Sequence, residues 1–170
     1  MSNLGFKTFL LGSAALVLTL AALYIFAFRL HVGSPVVAEW WVKSAYDYKE
    51  YYAETIDEPK LILTAGSNGL FGIDSEVIER ITGYPTVNFA SHISLDIEFF
   101  FYKLEKHVKY GDVVIMPLEL HYYINWVGSY TDWFVSNMSA WGKESYLDKI
   151  SLLSYLTFIA HTPKKQVLLG

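Results

Sequence analysis

The stretch "LILTAGSNGLFGIDSEVIERI" (Leu61 to Ile81) decides the fold predicted for this chain. It begins with a short apolar run, "LILTA", which is typical of a buried strand. The residues "GSNG" that follow favour turns and predict a loop that carries Ser67. Asp74 is a good helix N-cap, and Gly83 is a typical residue for ending a helix. The stretch therefore predicts a strand, a serine-bearing loop and a helix, in that order.

Two further strand-like segments follow, with a second helical pattern between them. "TVNFA" (residues 86–90) predicts a second strand, and "DVVIMPLEL" (residues 112–120) contains a third. The continuous apolar residues of the third strand are typical of a parallel sheet that is covered on both faces. Ser94 is predicted to cap a helix that runs to about Lys109. The alternation of strands and helices predicts an α/β fold, a three-layer sandwich with a short parallel sheet.

The N-terminal segment predicts a membrane anchor. Between Lys7 and Arg29 lie 21 residues without a charge, "TFLLGSAALVLTLAALYIFAF". As a helix they span roughly 30 Å, the thickness of the hydrocarbon core of a bilayer. A cleaved secretory signal, with cleavage after Ala38, is the alternative. Lys7 on one flank nearly balances Arg29 and Lys43 on the other, so the positive-inside rule does not decide the orientation.

The predicted organisation has three parts. Residues 1–30 form the anchor, residues 31–59 an aromatic juxtamembrane linker or helix, and residues 60–170 the α/β domain. Residues 121–141 are predicted to be loop-like, and a last helix is predicted for residues 143–161.

Aromatic residues cluster in two regions outside the anchor. In "EWWVKSAYDYKEYYAE" (residues 39–54) the rings suit either the lipid headgroup level or packing on the chain's own domain, and both interpretations stay open. Aromatic residues are also enriched at the centres of protein interfaces. The predicted membrane or partner interface consists of Trp40, Trp41, Trp126, Trp133 and Phe134.

Composition argues against several classes of function. The chain has no cysteine, which removes disulfides and cysteine-based metal or redox sites. Its net charge of −4 and the lack of a basic stripe argue against a nucleic-acid partner. A metal site built from His92, Glu119 and His121 is conceivable, but no ligand spacing supports it. We therefore expect neither a metal nor a cofactor.

The predicted strands bring several polar side chains to one edge of the sheet. Sites in open parallel sheets gather beyond the carboxyl ends of the strands, where Ser67, His92, Glu119 and His121 are expected. A hydroxyl, two imidazoles and a carboxylate are the groups that nucleophilic acyl transfer requires. Each also has an ordinary interpretation as a turn residue, a backbone hydrogen-bonding partner or a surface ion pair. The serine alone does not decide between these interpretations.

Three segments resemble the start of SGNH (GDSL-like) hydrolase domains: "LILTAGSNGLFGID", "PTVNFASHISLDIEFF" and "GDVVIMPLELHYY". The likeness is greatest to membrane-anchored, extracytoplasmic members, some of which assist membrane-bound O-acyltransferases that acylate cell-surface polymers. The resemblance implies a flavodoxin-like three-layer domain outside the cytoplasm, anchored in the inner (cytoplasmic) membrane by a single span. It also implies that Ser67 occupies the nucleophile position, that His92 belongs to the site, and that Asn68, Ser94, Glu119 and His121 line it.

The chain also departs from the pattern of that family. The usual glycine of the second motif is replaced near Ser94, and the Gly-x-Asn-Asp motif is absent where Pro117-Leu118-Glu119 stands. The Asp-x-x-His motif that supplies the base is missing, since His161 has no aspartate three residues before it. Either the chain is part of a longer protein, or it is a short form that has lost the activity.

Two functions are therefore considered. The favoured one is a non-catalytic, membrane-anchored SGNH-like subunit that stabilises or bridges an assembly with integral-membrane partners. The alternative is an SGNH-type serine esterase or O-acyltransferase partner that acts on cell-surface polymers. In the alternative Ser67 attacks an ester carbonyl, and the base is supplied by a missing C-terminal half or by His92 or His121.

Overall fold

The computed structural model describes residues 3–32, 38–124, 130–142 and 145–162. Within these ranges the chain is a mixed α/β fold that is mostly helical. The strands are β1 (Leu61–Leu63), β2 (Thr86–Asn88) and β3 (Val113–Ile115). The helices are α1 (Asn3–His31), α2 (Trp40–Glu54), α3 (Ser67–Gly72), α4 (Ser75–Thr82), α5 (Ile97–His107), α6 (Leu120–Ile124), α7 (Asp132–Trp141) and α8 (Leu152–Ala160), with a short 3-10 helix at Ser145–Asp148.

The three strands form a parallel sheet in the order β2-β1-β3, with β1 in the centre. Ile62 of β1 is in register with Val87 on one side and Val114 on the other. Backbone hydrogen bonds between β1 and β2 continue beyond the ends of the strands. The Ser91 N–H, for example, donates to the Ala65 carbonyl at 2.9 Å. The strand ends therefore lie side by side and point the same way, which confirms the predicted parallel arrangement.

The predicted ends of α4 are confirmed, whereas the predicted start of α5 is wrong. The Asp74 carboxylate accepts hydrogen bonds from the first turn of α4, and Gly83 ends the helix with a left-handed φ of 73°. Asp96, not Ser94, is the N-cap of α5. Its carboxylate accepts from the backbone of Glu98, so the helix begins two residues later than the serine predicted.

Helices also occur where loops were predicted. The turn-forming residues after β1 wind directly into α3, and residues 121–141 contain α7 together with most of α6. The single helix predicted for residues 143–161 is interrupted, because Ser151 caps a separate helix, α8, through the backbone N–H of Ser154 at 3.0 Å. Residues 163–170 lie outside the described part of the chain.

Helix α2 packs on the α/β domain with its inner face. Tyr46 of α2 is buried, stacks on Phe89 and meets the ring of Phe99 in α5 edge-on. Its outer face carries Trp40 and Trp41, which are about half exposed. The segment thus packs one row of aromatics on its own domain and leaves another row open.

An ion cluster joins α2 to α5 beneath this aromatic layer. The Glu50 carboxylate contacts the ammonium group of Lys103 and lies 3.6 Å from Nε2 of His107. Burial opposes ionisation of Glu50, but the contacts with His107 and Lys103 outweigh it and lower the pKa of Glu50 to about 2. Because this pKa lies below the ordinary value of 4.5, the cluster stabilises the fold above pH 4.5, and the contribution is lost as pH falls towards 2.

We therefore expect Glu50→Gln to lower the free energy of unfolding by about 1–2 kcal/mol at pH 7, since Lys103 is left buried without its carboxylate. Denaturation of the full chain in mild detergent measures this difference. The difference should narrow below pH 4.5 and disappear near pH 2. Asp57→Asn is the control, because Asp57 is fully exposed and lies 3.9 Å from Lys109. A Glu50 effect that is independent of pH would contradict the assignment.

Strand β3 is less covered than its apolar sequence predicted. Val113, Val114 and Ile115 are all exposed, whereas the residues of β1 are buried. Within the described residues β3 forms an edge of the sheet, so its outer backbone groups and apolar side chains are open. The expectation that this strand is covered on both faces is therefore wrong for the part of the chain that the structure describes.

Helix α1 is long and apolar enough to cross a membrane by length and composition. The stretch Gly5–Leu30 fulfils this criterion, and its most apolar window has no buried residue. The C-terminal end of α1 contacts the described part of the domain, where Phe28 is buried against Tyr155 and Phe158.

Candidate functional site

Ser67 lies at the carboxyl end of the central strand. It is the first residue of α3 and follows Gly66, the N-cap of that helix. The Glu119 carboxylate returns to this point from beyond β3. Its Oε2 atom accepts from Gly66 N–H at 3.1 Å, and its Oε1 atom accepts from Asn68 N–H at 3.2 Å. The two carboxylate oxygens therefore bind the backbone on both sides of Ser67.

This contact occupies the backbone amides next to the one that the resemblance assigns to acyl transfer, the N–H of Ser67 itself. Backbone N–H groups beside a nucleophile stabilise the negative oxygen that develops on the substrate. Here a carboxylate of the chain itself already occupies two of them. Gly66 is required for this approach, because a Cβ atom at this position would lie 2.4 Å from Oε1 of Glu119. The predicted proximity of Glu119 to the serine is thus observed, with the carboxylate bound to backbone amides.

The side chain of Asn68 is also engaged within the chain. Its Nδ2 donates to the Pro117 carbonyl at 2.7 Å, and its Oδ1 accepts from Gly69 N–H at 2.6 Å. Asn68 therefore connects the start of α3 to the segment after β3. The side-chain amide of Asn68 thus stabilises the contact between α3 and the segment after β3.

His92 has partners other than the serine. Its ring stacks on Trp133 with centroids 4.0 Å apart and planes 10° apart. Its Nδ1 accepts from Ser94 N–H at 3.1 Å, so this nitrogen carries no proton. Burial lowers the pKa of His92, and the nearby Glu39 carboxylate opposes that shift. His92 is therefore a half-buried, neutral imidazole held by an indole ring and a backbone amide.

His121 lies beside a separate groove. Its ring centroid is 3.8 Å from that of Tyr122, and the two residues line a groove of about 230 Å³ together with Ser94 and Asp96. Its Nδ1 atom is buried and has no hydrogen-bond partner among the described residues. Within the described chain, neither His121 nor His92 forms a hydrogen bond with Ser67. The structure thus brings Glu119 and Asn68 to Ser67, but not a histidine base.

The aromatic residues predicted at an interface have different environments. Trp40 and Trp41 are half exposed, and the indole N–H groups of Trp41 and Trp133 donate to opposite oxygens of the Glu39 carboxylate at 2.7 and 2.8 Å. Phe134 is fully buried in the core, so it presents no surface to a partner. Trp126 lies outside the described residues.

The sequence reasoning missed Lys49 of α2. Its ammonium group donates to the Ala90 carbonyl at 2.5 Å, at the carboxyl end of β2. Burial lowers the pKa of Lys49 to about 8. No local signal marks this contact, because the two residues lie 41 positions apart. A partly buried lysine with a lowered pKa therefore lies next to the Ser91-His92 segment.

Two general findings complete the site. Among the described residues, no group of three or more histidine, aspartate or glutamate side chains is placed to hold a metal ion. Comparison with known proteins gave no match: no protein-family model fits the chain, and no curated protein or solved structure is significantly similar to it. The resemblance to SGNH hydrolases thus stays a prediction based on the motifs.

Proposed function

We propose that the chain is a membrane-anchored, non-catalytic SGNH-like subunit that stabilises or bridges a membrane protein assembly. The observation that carries the proposal is the Glu119 carboxylate on the amides of Gly66 and Asn68. A substrate oxyanion at Ser67 would lie close to a carboxylate that is already bound to the amides on both sides of the serine. The residues on both sides of the nucleophile position are thus tied to Glu119, which suits a structural role better than acyl transfer.

A three-layer arrangement is supported by the side chains at the end of β2. Asn88 donates through its Nδ2 to the Gly69 and Ile73 carbonyls, at the end of the sheet that carries α3. Phe89, the next residue, stacks on Tyr46 of α2. Successive side chains of an extended segment point to opposite faces, so α3 and α2 belong to opposite layers. This order fits the SGNH-like domain that the motifs imply.

An assembly role is supported by the surfaces that the fold leaves open. The edge formed by β3 exposes unpaired backbone and apolar side chains, a feature that proteins normally cover. The exposed faces of Trp40 and Trp41 offer aromatic surface next to the anchor. In this proposal α1 spans the inner membrane, the α/β domain lies on the extracytoplasmic side, and an integral-membrane protein covers these surfaces.

A second candidate, an SGNH-type esterase or O-acyltransferase partner, is favoured by one observation. Ser67 stands at the N-terminus of a helix that follows the central strand of a parallel sheet, the expected place for a nucleophile. For catalysis the Glu119 carboxylate would have to leave the amides, and a base would have to reach the hydroxyl. The acyl group would then pass from the ester through Ser67 to water or a glycan hydroxyl.

One experiment separates the two candidates. The full chain and Ser67→Ala are purified from native membranes in mild detergent and treated with a fluorophosphonate probe. We expect an integral-membrane protein to co-purify equally with both forms, and we expect the probe to label Ser67 in neither preparation. Retention of the partner by Ser67→Ala shows that the hydroxyl is not needed for the assembly.

Two results would decide against the proposal. Labelling that is present in the natural chain and absent in Ser67→Ala would establish an active nucleophile and favour the esterase. A stable monomer with no co-purifying membrane protein would remove the assembly role.

A further inference from the structure

Helix α8 lies along the C-terminal end of α1. The Tyr24 hydroxyl donates to the Ile159 carbonyl at 3.4 Å, and the ring of Phe28 lies 6.2 Å from that of Tyr155. The Arg29 guanidinium lies over the same Tyr155 ring at 5.3 Å. Contacts thus run from Arg29 back to Tyr24 as the chain advances along α8. The two helices are therefore antiparallel, and α8 descends beside the anchor.

The contacts place the end of α8 at a defined level along α1. Tyr24 lies five positions before Arg29, which corresponds to roughly 7–8 Å of helix. Arg29 ends the uncharged run of α1 and marks the membrane boundary of a spanning helix. The last turn of α8 therefore reaches the outer apolar layer, at the depth of roughly 5–10 Å that interfacial amphipathic helices occupy.

The outward face of α8 carries three exposed leucines and no charged side chain. Leu152 and Leu153 are 74% and 76% exposed, and Leu156 is 45% exposed. The helix "LLSYLTFIA" has no charged residue. By contrast, α4 exposes Glu76, Glu79 and Arg80. A leucine face without charges is unfavourable in water, but it matches the apolar surface of α1 beside it.

Three carbonyl groups in the last turn of α8 are paired within the chain. The Thr157 carbonyl accepts from His161 N–H at 3.1 Å, and the Ile159 carbonyl accepts from Thr162 N–H at 3.1 Å as well as from Tyr24. The Phe158 carbonyl accepts from the Thr162 hydroxyl at 3.3 Å. Backbone groups at the apolar level of a membrane must be paired in this way, because water is scarce there.

We infer that α8 is a second membrane contact of this protein: it lies in the boundary between headgroups and acyl chains, with Leu152 and Leu153 at the level of the headgroups and Leu156 one turn deeper. The inference rests on the proposed role of α1 as a membrane anchor. With both contacts, the membrane holds the domain through α1 and through α8. The distance of the domain from the bilayer and its rotation about α1 are then fixed.

The absence of cysteine allows a direct test with the full chain. Single-cysteine variants are made at Leu153 on the outward face of α8, at Leu16 in the middle of α1 and at Tyr110 in the turn before β3. Tyr110 is 105% exposed and serves as the aqueous control. Each variant is labelled with an environment-sensitive fluorophore in phosphatidylcholine vesicles. Quenching by nitroxide-bearing lipids is compared with quenching by iodide in the water.

We expect lipid quenching at positions 16 and 153 and iodide quenching at position 110. Before labelling, a water-soluble maleimide should react with Leu153→Cys roughly tenfold more slowly than with Tyr110→Cys, because the leucine site is withdrawn from water. Leu156→Cys repeats the measurement one turn further along α8, which guards against a local effect of the label.

The outcomes separate this inference from the anchor on which it rests. Lipid quenching at position 16 with iodide quenching at position 153 would overturn the α8 contact and leave the anchor intact. Iodide quenching at both positions would overturn the anchor and the α8 contact together. Protection of position 153 from both quenchers would show that protein covers α8, from this chain or from a second copy, and it would also overturn the lipid contact.

Discussion

Asp112→Asn is expected to lower the free energy of unfolding by roughly 3–5 kcal/mol, because it leaves a fully buried cation without its carboxylate partner. The ammonium group of Lys60 has no exposed surface and lies 2.9 Å from Oδ2 of Asp112. The same carboxylate accepts backbone hydrogen bonds from Lys60 at 3.0 Å and Lys109 at 2.8 Å. One side chain thus fastens the start of β1, the start of β3 and the segment after α5. Chemical denaturation of the full chain in mild detergent measures the loss.

The controls for this prediction use a matched surface pair and a second buried variant. Lys43 and Asp47 form an exposed ion pair one turn apart on α2, so Asp47→Asn should change stability by roughly 0.3–0.5 kcal/mol. Adding Lys60→Met to Asp112→Asn removes the stranded charge and should recover part of the loss. A loss below about 1 kcal/mol for Asp112→Asn would show that the pair does not hold the sheet together.

The sequence predicted those parts of the fold that local chemistry determines. Asp74 and Gly83 marked the ends of α4 because capping depends on residues a few positions away. The parallel order of the strands followed from their alternation with helices. The ion pair of Lys60 and Asp112 could not be predicted, because its partners are 52 residues apart and either could equally well have been a surface charge.

At the candidate site, too, part of the arrangement was predicted from the sequence and part was not. Strand polarity predicted that Ser67 and Glu119 would share an edge of the sheet, and they do. The sequence could not predict that the carboxylate would bind the amides next to the serine, because this depends on the path of the chain after β3. Nor did it predict that His92 would stack on Trp133. Trp133 belongs to α7, and the sequence predicted a loop there.

Gly69→Ala is expected to destabilise the chain by roughly 3 kcal/mol through overpacking between α3 and the sheet. A Cβ atom at this position would lie 2.7 Å from Cβ of Ala90 and 2.9 Å from Cβ of Ala65. Both neighbours are fully buried, and neither has a side-chain rotation that could make room. The helix would have to move away from the strand ends. Gly72→Ala in the same helix is the matched control, because nothing lies within 4 Å of its Cβ position.

The comparison of the two glycines tests whether packing fixes the position of Ser67. Gly72→Ala should be neutral or stabilise the chain by up to about 1 kcal/mol, since alanine restricts the unfolded chain more than glycine does. In Gly69→Ala a displaced α3 would also draw Asn68 N–H away from Glu119, so the loss should shrink when Glu119→Ala is already present. Equal stability of the two glycine variants would mean that α3 is not clamped to the sheet. The serine would then be free to move away from the carboxylate, and the esterase would become the stronger of the two candidate functions.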